Sequence, residues 1–108
     1  DMVEVMRTGL FMERVRREDG REPTPEHALR WATRNGYRAL SVPDGGWLAP
    51  GNKADLIMVD LQRAHLIPVL RVGSDFVHNG QARDVQSVMV DGKWVMKDGA
   101  VFFDGLAD

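Results

Sequence analysis

Residues 46–60 read Gly46-Trp47-Leu48-Ala49-Pro50-Gly51-Asn52-Lys53-Ala54-Asp55-Leu56-Ile57-Met58-Val59-Asp60. The pair Pro50-Gly51 predicts a turn, because proline presets φ at the first central position and glycine accepts a positive φ at the second. The apolar run Leu56–Val59 is short, partly β-branched and bounded by turn residues, which is typical of a buried strand. We therefore expect the chain to change from helices to strands at this segment.

The composition changes at nearly the same place. All five glutamates lie in residues 1–42, whereas residues 43–108 contain nine aspartates and eight glycines. Glutamate favours helices, and aspartate and glycine favour turns. The sequence thus predicts an α+β chain with two parts, helical over residues 1–42 and strand-rich over residues 43–108.

The helical part contains two clear signals. Apolar residues recur at helical spacing over residues 2–17 and predict an amphipathic helix. Thr24-Pro25 predicts the start of a second helix, with threonine as the N-cap and proline in the first turn. Asn35-Gly36 is expected to bend or end that helix, and residues 37–40 to form a further short helical turn.

The second part predicts a meander of short strands. Val85–Val90 and Lys93–Met96 flank Asp91-Gly92, the sequence of a two-residue type I′ hairpin. Asp98-Gly99 repeats this pattern before a further expected strand at Ala100–Phe103. Between the central segment and the hairpin we expect an extended or looped stretch over residues 61–68 and two short strands, at Leu70–Val72 and Asp75–Asn79.

Bulk properties exclude several classes of protein. The 108 residues carry a net charge of -2, which points to neither nucleic acid nor a membrane surface as a partner. There is no cysteine, no apolar run of the ~20 residues that a membrane span needs, and no signal-peptide pattern at the start. We expect a cytoplasmic protein, and because residue 1 is Asp1 we expect a chain that is trimmed, cleaved or a segment of a longer polypeptide.

The pattern Gly-x-Leu-x-x-Gly-x-x-Ala-Asp-Leu, which begins at Gly46, resembles metal-dependent amidohydrolases. The wider sequence, from Ala32-Thr33-Arg34-Asn35-Gly36 to Val90-Asp91-Gly92, is similar to the branch that acts on cytosine, guanine, adenosine derivatives and triazines. The similar elements cover nearly the whole chain and occur in the order found in that family.

The resemblance implies that residues 1–42 are the last helices of a (β/α)8 barrel and residues 43–108 strands of a small composite β-sandwich domain. It implies hydrolytic deamination, or related C–N or C–Cl hydrolysis, of a small nitrogen heterocycle by a homo-oligomeric enzyme that uses zinc or iron. The family's metal ligands would precede residue 1, so the segment alone is expected to bind no metal and to be inactive. It would be a scaffold that requires the remainder of the same polypeptide.

Two alternatives remain open at this stage. The chain could be a non-catalytic dimerisation or interaction module derived from such an enzyme. It could also belong to an amidohydrolase that acts on a cyclic amide or an amino-acid derivative. An upstream His-x-His pair in the same gene would distinguish the enzyme from the module.

The chemistry-bearing residues of the chain support the prediction that it contains no catalytic or metal site. His27, His65 and His78 are separated by 38 and 13 residues, so no two have the spacing of a metal-binding pair. The serines lack the Gly-x-Ser-x-Gly context of a nucleophile; they are Ser41, Ser74 and Ser87.

Other polar and aromatic groups are predicted to be structural. Asp55 and Asp60 would lie ~16 Å apart along an extended strand, too far to share an ion, and are expected to bond turn amides. The arginines at one-turn spacing are expected to form an exposed helix face; they are Arg30, Arg34 and Arg38. The tryptophans are expected to pack in the core; they are Trp31, Trp47 and Trp94.

Overall fold

The computed structural model describes residues 1–102. Helices and strands follow one another along the chain as α1 Met2–Arg17, α2 Pro25–Ala32, α3 Arg34–Ala39, β1 Leu56–Val59, α4 Val72–Asn79, β2 Val85–Val90, β3 Lys93–Lys97 and β4 Ala100–Val101. A 3-10 turn at Ala82–Asp84 leads directly into β2. The predicted α+β class is confirmed, with helices before β1 and an antiparallel sheet after it, but one further helix lies between the strands.

Local sequence signals account for the first helices. Asp1 begins α1 by accepting the amide of Val3 at 2.9 Å, and Thr24 precedes α2 as predicted, with Pro25 in the first turn. The break before α3 falls at Thr33, whose φ of -122° and ψ of -90° are not helical. The helix therefore breaks two residues before Asn35-Gly36, where the sequence predicted the bend.

The core lies in the helical layer. Three residues of α1 at helical spacing are buried against residues of α2 and α4; the buried residues of this cluster are Val3, Met6, Leu10, Ala28, Phe76 and Val77. Leu10 and Val77 are fully buried. Burying side chains of this kind stabilises a fold by about 1.5–3 kcal/mol each. The helical layer is therefore held together by residues from both parts of the chain.

The sheet is a meander in the order β1-β2-β3-β4, with every neighbouring pair antiparallel. Leu56 of β1 faces Met89 of β2, and Met58 faces Ser87. Both predicted hairpin turns are confirmed: φ is 50° and 78° at Asp91-Gly92, and 49° and 82° at the second turn, Asp98-Gly99. The strand expected at Ala100–Phe103 is confirmed only over Ala100–Val101, since Phe102 is not in a strand and Phe103 lies outside the described residues.

The two strands predicted at Leu70–Val72 and Asp75–Asn79 are wrong. This segment forms α4, in which the Asp75 carboxylate accepts the backbone amides of Leu70 and Arg71 at 2.8 and 3.0 Å. Such bonds satisfy donors that a helix leaves unpaired at its start. Gly73-Ser74, which the sequence indicated as a turn, lies in the first turn of the helix.

Arg7 ties the end of α4 to α1. Its Nε donates to the carbonyl of Val77 at 3.0 Å, and a second guanidinium nitrogen donates to the carbonyl of Gly80. The carbonyls at a helix C-terminus have no partner within the helix, so a cation there satisfies both hydrogen bonding and the helix dipole. Arg7 thereby bonds to two residues that follow it by 70 and 73 positions in the sequence.

No helix within residues 1–102 has the length and apolar character needed to cross a membrane.

Candidate functional site

The three histidines lie in separate places, and each has a local partner. His27 accepts the amide of Thr24 through Nδ1 at 3.0 Å and so completes the N-terminal cap of α2. The sequence correctly placed this residue in a first helical turn. It serves the helix start.

His65 is partly exposed and pairs with the buried Asp84. Its Nε2 donates to Asp84 Oδ2 at 2.7 Å, and the same oxygen accepts the amide of Gln81 at 2.8 Å. Asp84 is fully buried. Burial acts to raise the pKa of Asp84, but the hydrogen bonds from His65 and Gln81 outweigh it, so this pKa lies below its usual value. The pair fastens the loop after β1 to the start of β2.

His78 lies in α4, which corrects its predicted position on a strand. Its Nδ1 is 2.9 Å from the carbonyl of Ser74 and its Nε2 is 3.3 Å from a guanidinium nitrogen of Arg14. Because a carbonyl only accepts and a guanidinium only donates, Nδ1 carries the proton and Nε2 accepts. The Ser74 hydroxyl is 3.3 Å from the same Nδ1, but a protonated nitrogen cannot take its proton. This serine and histidine therefore do not form a nucleophile and base pair.

The described residues do not fit the metal that the family resemblance implies. Across residues 1–102, no group of three or more His, Asp or Glu side chains is arranged to hold an ion. His27 Nδ1 and His65 Nε2, the imidazole nitrogens nearest to carboxylates, are already hydrogen-bonded to Thr24 and Asp84. No step of a metal-dependent reaction is therefore assigned to these residues.

Asp55 connects the helices to the hairpin. Its Oδ1 accepts the amide of Asp91 at 2.6 Å, and its Oδ2 accepts the hydroxyl of Tyr37 in α3. The hydrogen bond from Tyr37, followed by that from the Asp91 amide, holds the pKa of Asp55 below its usual value. Asp60 likewise accepts the amide of Gln62 at 2.9 Å. Both aspartates thus bond turn amides, as predicted.

The tryptophans do not pack in the core, contrary to our expectation. Trp31 and Trp47 are exposed, and Trp94 is partly exposed. The Arg34 guanidinium lies 5.0 Å from the ring centre of Trp47, and Lys97 lies 5.5 Å from that of Trp94. Cations therefore stack on these rings, as is common for aromatic side chains at a surface.

Large apolar surfaces remain exposed on both layers. On α1, an outer stripe faces away from the core and consists of Met2, Val5, Met12 and Val15, which are 59, 60, 67 and 77% exposed. Between the helices and the sheet, an inner groove of about 480 Å³ is lined by mostly apolar side chains that include Leu29, Leu56, Phe76, Val88 and Met89. Contiguous apolar surfaces of this kind occur where a protein contacts another molecule or another part of its own chain.

Comparison with known proteins places the chain in a family. Residues 1–95 match the model of the amidohydrolase family. The chain is 41% identical over 97 residues to the 5-methylthioadenosine/S-adenosylhomocysteine deaminase of Pelotomaculum thermopropionicum, covering 90% of this chain and 22% of the relative. It is 34% identical over 99 residues to the 5'-deoxyadenosine deaminase of Methanothermobacter thermautotrophicus, covering 92% of this chain and 23% of that one.

Solved structures give the same result. The fold superimposes on a zinc-bound adenosine deaminase from Xanthomonas campestris with a TM-score of 0.93 and 28% identity, covering 99% of this chain and 25% of the other. The zinc-complexed atrazine chlorohydrolase of Arthrobacter aurescens has a TM-score of 0.82 at 23% identity, covering 97% and 24%. At that identity the second similarity establishes the fold alone.

The fold and the family model together define the class of protein to which this chain belongs. The chain belongs to the amidohydrolase family. It spans less than a quarter of the length of the two deaminases that it matches in sequence. The resemblance seen in Gly46–Asp60 and in Ala32–Gly36 is thereby confirmed.

Proposed function

We propose that this chain is the C-terminal segment of a metal-dependent amidohydrolase that hydrolytically deaminates an adenosine-type heterocycle. The observation that carries this proposal is the 41% identity over 90% of the chain to a 5-methylthioadenosine/S-adenosylhomocysteine deaminase. The similarity to a zinc-bound adenosine deaminase supports it. A metal held by the rest of the enzyme would lower the pKa of bound water and so supply the nucleophile for hydrolysis.

In this proposal the segment is a scaffold. Residues 1–42 belong to the last helices of the barrel and residues 43–108 to the small β-domain, with α4 returning to pack on α1 and α2. The outer stripe and the inner groove are then covered by other parts of the same polypeptide. Zinc or iron and its ligands belong to the rest of the enzyme.

The test uses the longer polypeptide that contains this chain. Ammonia release from adenosine, 5-methylthioadenosine and S-adenosylhomocysteine is measured, with cytosine, guanine and a triazine as competing substrate classes. We expect release from an adenosine derivative, loss after chelation and recovery with zinc or iron. The isolated 108 residues, analysed for metal after mild chelation, are expected to hold less than one ion per chain.

Each alternative corresponds to a different result. A longer polypeptide that binds no metal and releases no ammonia, yet dimerises through this segment, would support the interaction module instead. Hydrolysis of a cyclic amide without action on the heterocycles would move the proposal to another branch of the family. A tightly bound ion on the isolated segment would contradict the scaffold role and would direct attention to His65 or His78.

A further inference from the structure

A second cavity, of about 440 Å³, lies where α3 meets the turn before β1. Its lining includes two arginines of α3, Arg34 and Arg38, together with Val42, Pro43 and Trp47. Small-molecule sites commonly have volumes of ~300–1,000 Å³ and combine apolar walls with a few polar groups. This cavity has a volume in that range, is open to solvent, and combines apolar side chains with two guanidinium groups.

The two arginines carry uncompensated charge. They are one helical turn apart, so their side chains project from the same side of α3 and repel each other. In the part of the chain that the structure describes, neither forms a salt bridge, whereas Arg16 and Arg17 share Glu13, and Arg63 pairs with Asp60. Two guanidinium groups at this spacing suit a phosphate or carboxylate, which accept paired N–H donors.

Trp47 supplies the opposite wall. Its ring is 41% exposed, and the Arg34 guanidinium lies 5.0 Å from its centre. Stacking on the ring restricts the guanidinium and so reduces the freedom lost when a ligand binds. The ring together with Val42 and Pro43 offers apolar surface beside the charged groups, where a planar group of a ligand could pack.

We propose that this cavity binds a small aromatic or heteroaromatic compound that carries a phosphate or carboxylate group. Arg34 and Arg38 hold the oxyanion, and the ring packs against Trp47. This inference goes beyond the proposed function, since it depends on neither the metal nor the deamination reaction. The arginine face that the sequence predicted as exposed is exposed, whereas the approach of Trp47 is a tertiary contact that the sequence does not indicate.

The experiment is a calorimetric titration of the longer polypeptide that contains this chain with phenyl phosphate, benzoate and inorganic phosphate. The test variant is Arg34→Gln with Arg38→Gln. The matched control is Arg30→Gln, which removes an exposed arginine one turn before Arg34 and outside the cavity lining. All these side chains are exposed. Circular dichroism checks that each variant keeps its helices. If the double variant loses its helices, Arg38→Gln alone is the test variant.

We expect an aromatic anion to bind more tightly than inorganic phosphate and the double variant to lose at least about tenfold in affinity, the effect of removing one or more charge-assisted bonds. The control is expected to stay within about twofold of the unaltered chain, as for an exposed charge. Phenyl phosphate and benzoate together distinguish a phosphate ligand from a carboxylate ligand.

Three results would overturn the inference. The first is no measurable binding of either aromatic anion. The second is an equal loss of affinity in Arg30→Gln and in the double variant, which would show diffuse charge attraction. The third is equal affinity for inorganic phosphate and phenyl phosphate, together with no effect of Trp47→Ala, which would remove the ring from the site.

Discussion

Charged substitutions in the outer stripe of α1 are expected to have opposite effects in the isolated chain and in the longer polypeptide. Replacing Val5 and Met12 by lysine puts two charges on a surface that is exposed in residues 1–108 but covered in the proposed longer polypeptide. In the isolated chain the change should reduce self-association without loss of helix, because both positions are exposed and lysine is a good helix former. In the longer polypeptide the same change should destabilise the fold.

The magnitude follows from the exposure of the stripe. Its four side chains are 59–77% exposed, and full burial of such a side chain is worth about 1.5–3 kcal/mol. Covering all four would therefore contribute about 4–8 kcal/mol, which is comparable with the ~5–15 kcal/mol stability of a whole domain. We accordingly expect the isolated chain not to be an autonomous monomer, and to associate or to remain poorly protected.

Sedimentation velocity and amide exchange measure the isolated chain, and thermal unfolding measures the longer polypeptide. The matched control places the same two charges at Asn35 and Gln62, which are exposed and outside the stripe. The control should change neither association nor the melting temperature appreciably. A dilute, well-protected, two-state monomer of residues 1–108, together with a longer polypeptide that tolerates both lysines, would refute the reasoning.

Three further predictions concern single sites, all followed in the longer polypeptide. Gly92→Val should destabilise the hairpin by more than about 1 kcal/mol, since φ there is 78°, and an unchanged melting temperature would contradict the turn type. Gly80→Ala should cost about 1–3 kcal/mol by overpacking, because a Cβ would lie 2.4 Å from a carbonyl oxygen of α4, whereas Gly20→Ala, with open space around it, should be nearly neutral by urea unfolding. Because the pKa of Asp84 is lowered in the fold, its stabilising effect is complete above the unfolded pKa of about 3.9 and is lost as the pH falls through the folded pKa. The Gln81 amide donates to this carboxylate, so its protection from exchange should fall as the pH falls through the folded pKa of Asp84. Protection that persists at a pH below that pKa would contradict the stabilising role of the His65–Asp84 pair.

The features that the sequence predicted correctly are those specified by neighbouring residues. Thr24-Pro25 and the two Asp-Gly turns contain their own conformational preferences, so the start of α2 and both hairpins could be located without tertiary information. The bounds of β1 at Leu56–Val59 were likewise predicted from flanking turn residues, but the expected burial is not found within residues 1–102, because Ile57 and Met58 are each 50% exposed.

Helix α4 could not be predicted in the same way. It has eight residues, and a helix of that length is not stable alone; it forms because Phe76 and Val77 are buried against α1 and α2. Two residues in the sequence could have indicated its ends. Asp75 is an acidic residue in the first turn, and Gly80 directly follows the last residue of the helix. The contacts of His65 and His78 were equally inaccessible, because their partners Asp84 and Arg14 are 19 and 64 positions away.

The bond from Arg7 to the end of α4 has a consequence for biosynthesis. Translation adds about 5–20 residues per second, so the carbonyl of Val77, 70 residues later, is made about 4–14 s after Arg7. Throughout that interval the apolar side of α1 that carries Leu10 lacks the partner contributed by α4. A ribosome-bound chain that ends before residue 80 therefore presents an incomplete helical layer, and a chaperone that binds apolar surface has its longest opportunity at this stage.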